Sequence, residues 1–355
     1  MINWTIQDLH NQTLLERPWP AKPRNYIRAS EIGKGFYDRY WDMMGETPTN
    51  PFDARALRIF DAGKTFEWKV RLLLIAAGIL RHEQKEVKIK DGSHLDVIGH
   101  LDFVAGGKPD LTQFSVVKQH LEALAFDTRW LSLGDAIIKR LTEDFPDGLP
   151  PLVYEVKSVN SMVFWRHGKT EHGDFDPTKL TLKGYPHHIM QVYTYMKGMG
   201  LTEGRIYYIS RDDQTLGEVA VEATPELELA WQTDVQRITE LIKTQTPPPT
   251  PEIIVWSDDE KKYNLNWEVS RSKFFKKMHP EVENQTVWEA THRNLVNRAN
   301  YRVRAALKKS SALTNEQVKQ IVDPYIAGQL SEGLKIDVSL ANREEVETNE
   351  ANSVE

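Results

Sequence analysis

Hydrophobic positions along this chain switch repeatedly between a helical period and the two-residue alternation of strands. After an aperiodic stretch to about residue 28, Ser30 is placed to cap a helix through Ile32, Phe36 and Tyr40. A second helix is expected from about Asp53 to Leu80, with Phe60, Gly63, Val70 and Leu74 on one face and Glu67 among them. Strands follow at Val87–Ile89 and Leu95–Val104, joined by the Asp91-Gly92 turn. Residues 106–150 break the pattern with Gly-Gly-Lys-Pro and helical segments around Val117–Phe126 and Leu131–Leu141, and read as an insertion. A strand returns at Leu152–Val156. A polar loop from Ser158 to Lys183 leads to a helix over Pro186–Met199. Next come a strand pair, Arg205–Ser210 and Gly217–Glu222, and a helix opened by Thr224-Pro225-Glu226. Its buried stripe is Trp231, Val235, Ile238 and Ile242.

The run Thr246–Pro251 (TPPPTP) reads as a linker. The expected division is an N-terminal segment and helix (1–50), a core (51–245), a basic helical region (252–335) and an acidic, disordered tail (336–355). Between Lys261 and Lys309 there are twelve Lys and Arg against four Glu, whereas residues 336–355 hold six acids and one Arg. The net charge of −6 therefore hides a locally basic region able to meet a phosphate backbone. The chain of 355 residues contains no cysteine. That excludes disulfides, cysteine nucleophiles and cysteine-held zinc or iron–sulfur clusters, and leaves oxygen and imidazole as metal ligands. The apolar run Leu72–Leu80 lies between Arg71 and Arg81 and is too short to span a bilayer. The N-terminus lacks the pattern of a secretion signal, so the expected location is cytoplasmic.

Chemistry concentrates in Leu-Val-Tyr-Glu-Val-Lys. On a strand, Leu152, Tyr154 and Val156 share one face while Glu155 and Lys157 share the other. Asp102 ends a preceding strand and can come alongside. Two carboxylates and a lysine suit a hard divalent cation beside an amine that activates water or steadies negative charge, as phosphodiester cleavage requires. By itself Glu-x-Lys also describes the solvated face of an amphipathic strand. Three further features change the balance. Glu67 lies among apolar neighbours, costly for an unpaired carboxylate. Gln191 and Tyr195, at i and i+4, project from one helical face. And these elements occur in a particular order.

In that order the sequence resembles the RecB-like and Cas4-like branch of the PD-(D/E)XK nuclease superfamily. The matching motifs are G-x-x-x-(H/E) at Gly63–Glu67, G-x-x-D at Gly99–Asp102, E-x-K at Glu155-Val156-Lys157 followed by Ser158, and Q-x-x-x-Y at Gln191–Tyr195. The likeness covers about residues 30–222. It implies an α/β fold of the restriction-endonuclease type, a mixed central sheet flanked by helices, with a helical insertion and a helical C-terminal region. It implies Mg²⁺ or Mn²⁺ held by Asp102, Glu155, Glu67 and the Val156 carbonyl, with Lys157 at the attacking water and Gln191 and Tyr195 orienting the site. It also implies DNA cleavage to 5′-phosphate products, most often by exonucleases acting on ends or single strands in recombination, repair or phage replication. The partners it suggests are DNA and a helicase, recombinase or single-strand-binding protein, with no membrane.

Two departures stand out. Some relatives carry four cysteines and an iron–sulfur cluster. Here Gly35, in Ser30–Gly35, stands where a Cys is expected, so other contacts must brace the chain. The segment between Asp102 and Glu155 is also long, which leaves the preferred DNA form open. Trp165, Arg166 and Lys169 are candidates to grip a strand. So are Lys273, Lys276 and Lys277, in a region where Tyr263, Trp267, Phe274, Phe275, Trp288 and Tyr301 alternate with cations. Those aromatics equally suit the core of a helical subdomain. His187 and His188 read as exposed first-turn residues. Glu171–Asp176 lacks the spacing of a calcium loop. A structure-specific endonuclease and a non-catalytic DNA-binding or docking module remain alternatives.

Overall fold

A computed structural model describes residues 6–16, 22–90, 92–110, 112, 115–116, 119, 129–161, 185–258, 260–310 and 312–331. The chain forms two compact units, residues 1–46 with 52–247, and residues 47–51 with 248–355. The boundary falls inside the Pro-rich run. The N-terminal segment is not a body of its own but groups with the core.

The first unit is an α/β structure with a mixed six-stranded sheet. Its elements are α1 (Ile6–Leu15), β1 (Tyr26–Arg28), α2 (Phe36–Met43), α3 (Ala54–Ala76), β2 (Leu80–Ile89), β3 (Asp96–Gly107), α4 (Arg129–Asp144), β4 (Leu149–Val159), α5 (Pro186–Met199), β5 (Glu203–Ser210), β6 (Leu216–Glu222) and α6 (Pro225–Lys243). The sheet order is β1-β3-β4-β5-β6, with β2 on the other edge of β3. β4 and β5 run parallel, joined through α5, and β5 and β6 form an antiparallel pair.

Helices cover both faces. Under α2, α5 and α6 lies the larger core, with Ile27, Tyr40, Val153, Val192, Met196 and Trp231. Under α3 lies a second, with Phe66, Val70, Leu74, Phe103 and Ile209, against which Ile137 and Leu141 of α4 pack. The helix ends have local causes. Asp53 caps α3 by accepting from the Ala56 amide at 2.7 Å, and Thr224 caps α6 by accepting from the Leu227 amide at 3.2 Å. α5 opens on Pro186 and stops at left-handed Gly200, φ +67°.

Several expectations are corrected. Ser30 does not cap a helix. It lies in a 3₁₀ turn, Ala29–Glu31, and α2 starts only at Phe36, after Gly35. Phe60 is 50% exposed, its ring set edge-on to Phe52, while Phe66 fills the core beneath α3. β2 begins at Leu80, well before the expected Val87. Leu131–Leu141 falls within α4. Of the segment Val117–Phe126 only Gln119 is described, and the acidic tail lies outside the described residues. A buried ion pair ties α2 to α6. Arg39 of α2 donates to both Asp234 oxygens of α6, at 2.9 and 2.8 Å, and the Gly33 amide adds a bond at 3.1 Å.

The second unit is not helical throughout. It opens with a hairpin, β7 (Ile254–Ser257) and β8 (Lys262–Leu265), followed by short helices α7 (Trp267–Ser270) and α8 (Phe275–Met278) and long helices α9 (Gln285–Lys309) and α10 (Asn315–Ser331). Its core joins Ile254, Tyr263, Leu295, Val303, Val318 and Val322. Among the described residues no helix is long and apolar enough to cross a membrane.

Candidate active site

The site begins with a fork in the sheet. β3 carries β2 along one edge. On its other edge, residues 96–98 pair with β1 and residues 103–107 with β4. Among the described residues, no strand lies beside residues 99–102 of that edge. β4 leaves β3 after the Tyr154–Phe103 pair and continues from Glu155 to Val159 against β5 alone. Asp102 and Glu155 are thus the first residues beyond the point where the two strands part.

The strand also changes face there. Leu101 points into the core under α5, whereas Phe103, two residues on, points into the core under α3. Regular alternation would keep them together. Opposite Asp102 on β2 stands Gln84, with left-handed φ of +47° and no ladder pair between the two. This twist turns the Asp102 carboxylate across the gap, where it accepts the Val156 amide at 2.8 Å.

On the α5 side a second network forms. Lys157 Nζ donates to Glu155 Oε1 at 2.7 Å and to Gln191 Oε1 at 2.9 Å. Gln191 Nε2 donates to Glu155 Oε1 at 2.7 Å and to the Tyr195 hydroxyl at 3.1 Å. The Glu155 side chain is 4% exposed and that of Lys157 21%. Glu155 Oε2 is buried and, among the described residues, has no hydrogen-bond partner. Of the three ammonium donors of Lys157, two are used within the described residues.

Glu67 reaches the same space from α3, through the face on which Gly63 lies over Ser158. Its carboxyl is raised above the ordinary range by burial first and then by the charge of Glu155, against the lowering effect of a hydrogen bond from Gln84. Asp102 is raised further, by burial and then by Glu155 and Glu67, only partly offset by Lys157 and the Val156 amide. Three carboxylates therefore press on one another, with Lys157 acting on Asp102 and Glu67 and Lys64 on Glu67 alone as the opposing charges. That surplus of negative charge, and the orphaned Glu155 oxygen, fit a bound cation. The group is not drawn together around one point, since among the described residues no three His, Asp or Glu side chains converge as an ion-holding cluster. Glu67 instead rests on Gln84.

Gly99 shows why the strand before Asp102 carries no side chain at that position. A Cβ there would lie 2.5 Å from Ala29 Cβ and 2.9 Å from Tyr195 Cε1. Tyr195 is buried against this backbone, and its hydroxyl is held in the neutral form by burial and by the Glu155 charge.

The two histidines of α5 are half-buried, not exposed. His188 Nδ1 lies 2.8 Å from the Tyr208 hydroxyl, and its ring stacks on Tyr185. Burial, then the charges of Lys34 and Lys157, push His187 down to about 4. His188 falls well below its usual value through burial and then Lys157. Their position was legible, because His188, Gln191 and Tyr195 follow at i, i+3 and i+7 on one helical face. Gln84 carried no such signal in its charged surroundings, His-Glu-Gln-Lys-Glu.

The structure thus brings together Glu67, Asp102, Glu155, Val156, Lys157, Gln191 and Tyr195. Trp165, Arg166, Lys169 and Glu171–Asp176 lie outside the described residues. Lys273, Lys276 and Lys277 belong to the second unit. Lys273 sits over the Phe274 ring at 5.6 Å, and Lys276 is exposed on α8. Tyr263, Phe274, Phe275 and Trp288 are buried and build that unit's core, so they offer no stacking platform. Trp267 and Tyr301 are exposed.

No family model and no curated protein matches the sequence. Among solved structures, the chain is similar to the one described as the crystal structure of SSO0001, with 14% identity, coverage of 70% of this chain and 90% of that one, and a TM-score of 0.36. A likeness of that depth adds nothing to the reading of the site.

Proposed function

We propose that this chain is a divalent-metal-dependent DNA nuclease with the restriction-endonuclease type of core, most simply an exonuclease acting on ends or single strands and leaving 5′-phosphates. The observation that carries the reading is the fork. Asp102 and Glu155 are held at the point where β3 and β4 part, Lys157 is bonded to Glu155, and one Glu155 oxygen is buried without a partner among the described residues.

Asp102, Glu155 and the Val156 carbonyl would hold Mg²⁺ or Mn²⁺, with Glu67 completing the set once released from Gln84. When bound, the metal supplies Lewis-acid stabilisation of the phosphate and lowers the pKa of a coordinated water. Gln191 fixes Lys157 and Glu155 relative to each other by bonding both. The remaining Lys157 N–H is available to the attacking water or to the charge that develops on a phosphate oxygen. Tyr195, kept neutral, locks Gln191 from behind.

The test is cleavage of end-labelled single-stranded, double-stranded and circular DNA with Mg²⁺, Mn²⁺ or EDTA, wild type beside Lys157→Ala and Asp102→Ala. Metal-dependent loss of linear DNA that spares circles, and that both substitutions slow by about a hundredfold or more, is expected. Cutting of circles would select an endonuclease on the same core. Intact DNA under every condition would leave a non-catalytic binding module.

A further inference from the structure

The longest acid-free stretch of the second unit lies on its longest helix. From residue 290 to residue 315 there is no Asp or Glu, while Arg293, Arg298, Arg302, Arg304, Lys308 and Lys309 all fall inside it. α9 buries one side through Leu295, Val296, Ala299, Val303 and Ala306. Its outward side centres on Tyr301, which is 69% exposed. Arg298 and Arg304 stand three residues to either side of Tyr301, Lys308 lies seven residues on, and Ala305 leaves the next turn low beside the ring. Arg298, Arg304 and Lys308 are exposed, and no ion pair within the described residues involves them. The nearby cations differ. Arg293 is paired with Glu289, and Arg302 lies 3.9 Å over Tyr325.

Tyr301 is thus an exposed aromatic ring flanked by three exposed cations. Its chemistry matches a polymer that alternates phosphate with an accessible aromatic base. We infer that this face of α9 binds single-stranded nucleic acid, with Arg298, Arg304 and Lys308 along roughly 15 Å of helix on the phosphates and Tyr301 stacked on one base. A duplex offers the phosphates but hides its base faces, so the ring selects single strands. The choice of nucleic acid as partner rests on the nuclease reading, and the face would supply that activity with its strand.

The experiment is fluorescence anisotropy of the full chain with a labelled oligothymidylate and the matching duplex, in EDTA so that nothing is cleaved. Tyr301→Ala is expected to weaken single-strand binding about tenfold, Tyr301→Phe to restore it, and neither to change duplex binding by more than about twofold. Replacing Arg298, Arg304 and Lys308 with Ser is expected to flatten the slope of log affinity against log salt by about two, at about 0.7 per phosphate contact. Unchanged affinity in Tyr301→Ala, or an unchanged salt slope in the triple variant, overturns the inference. Equal circular dichroism melts check that the variants fold. Because binding is read without metal, a chain that cleaves but ignores these substitutions refutes the surface alone. A chain that does not cleave but responds to them refutes the nuclease alone.

Discussion

The carboxylate of Asp102 accepts a hydrogen bond from the Val156 amide at 2.8 Å, across the gap where β3 and β4 separate. The bond replaces the ladder pair that the fork removes, so the same oxygen that would bind metal also closes the sheet. Asn at this position keeps a carbonyl oxygen for the Val156 amide and removes the charge that Glu155 and Glu67 oppose. An acid whose folded pKa is raised binds more protons folded than unfolded. Its burden on stability is absent below the ordinary carboxylate range and grows as pH rises toward the folded value. At neutral pH in EDTA, Asp102→Asn should therefore melt a few degrees above wild type. Added Mg²⁺ should raise the melting temperature of wild type only. A variant that melts below wild type in EDTA would count against crowded carboxylates.

Lys157 tests the other half of the site. Its removal leaves Glu155, 4% exposed, without its counter-charge. Breaking such a pair from one side costs about 3 kcal/mol, whereas replacing both partners with apolar groups costs little. Lys157→Ala should lose that stability in urea titrations and reduce cleavage by about a hundredfold to ten-thousandfold. Lys157→Met with Glu155→Leu should regain most of the stability and none of the activity. If the double variant is no more stable than Lys157→Ala, the pair is not an isolated unit.

Much of this arrangement was legible because it depends on local spacing. Pro186 and Gly200 bound α5 as expected from proline at a helix start and glycine past its end, and Gln191 and Tyr195 share a face because they are four residues apart. The fork was not legible, since it depends on which residues of β3 find partners rather than on any pattern within it. The early part of β2 was missed because residues 81–86 are polar on both faces, so no alternation marks them. The hairpin β7–β8 was missed because its strands are four residues each and lie among charges. Phe60 and Phe66 show the limit of a helical period. Both suit an apolar face, and only the contact with the sheet decides that Phe66 takes it.

Gly99 couples the sheet to α5. Alanine there would place its Cβ 2.5 Å from Ala29 Cβ and 2.9 Å from the Tyr195 ring. Overpacking of this kind costs about 1–3 kcal/mol, and displacement of Tyr195 loosens Gln191. Gly99→Ala should lower the urea midpoint and reduce cleavage even under conditions where the protein remains fully folded. Gly99→Ala with Tyr195→Phe keeps the ring and should not recover. Tyr195→Leu removes the ring contact but not the one with Ala29 Cβ, so it should recover part of the stability and none of the cleavage.

Gln84 holds Glu67 through a backbone in the left-handed region, φ +47°. A non-glycine residue there carries strain of about 1 kcal/mol or more, retained only where surrounding contacts impose it. Gln84→Gly relieves the backbone, and Gln84→Ala does not, but both free Glu67. The two variants should share one altered metal-concentration profile for cleavage while differing in stability, glycine being the more stable. Profiles identical to wild type would show that Gln84 has no hold on the metal set.

The histidines of α5 give the first unit a pH dependence of opposite sign to that of Asp102. His187 is pushed down from 6.5 to about 4 by burial and by Lys34 and Lys157, so the folded chain binds fewer protons than the unfolded chain between those values. Its contribution is intact above the ordinary histidine range and drains as pH falls from about 6.5 toward about 4, by at most about 3 kcal/mol. Over part of that interval Asp102 acts the other way, so wild type alone cannot separate them. In the Asp102→Asn background the most strongly raised acid of the site is gone, and Glu67, raised less, remains to oppose the histidines. Urea midpoints should then drop between pH 7.5 and pH 5, and adding His187→Gln should shrink the drop. A full drop in that double variant would assign the acid sensitivity to other groups, with His188 the first to examine, since burial and Lys157 lower it too.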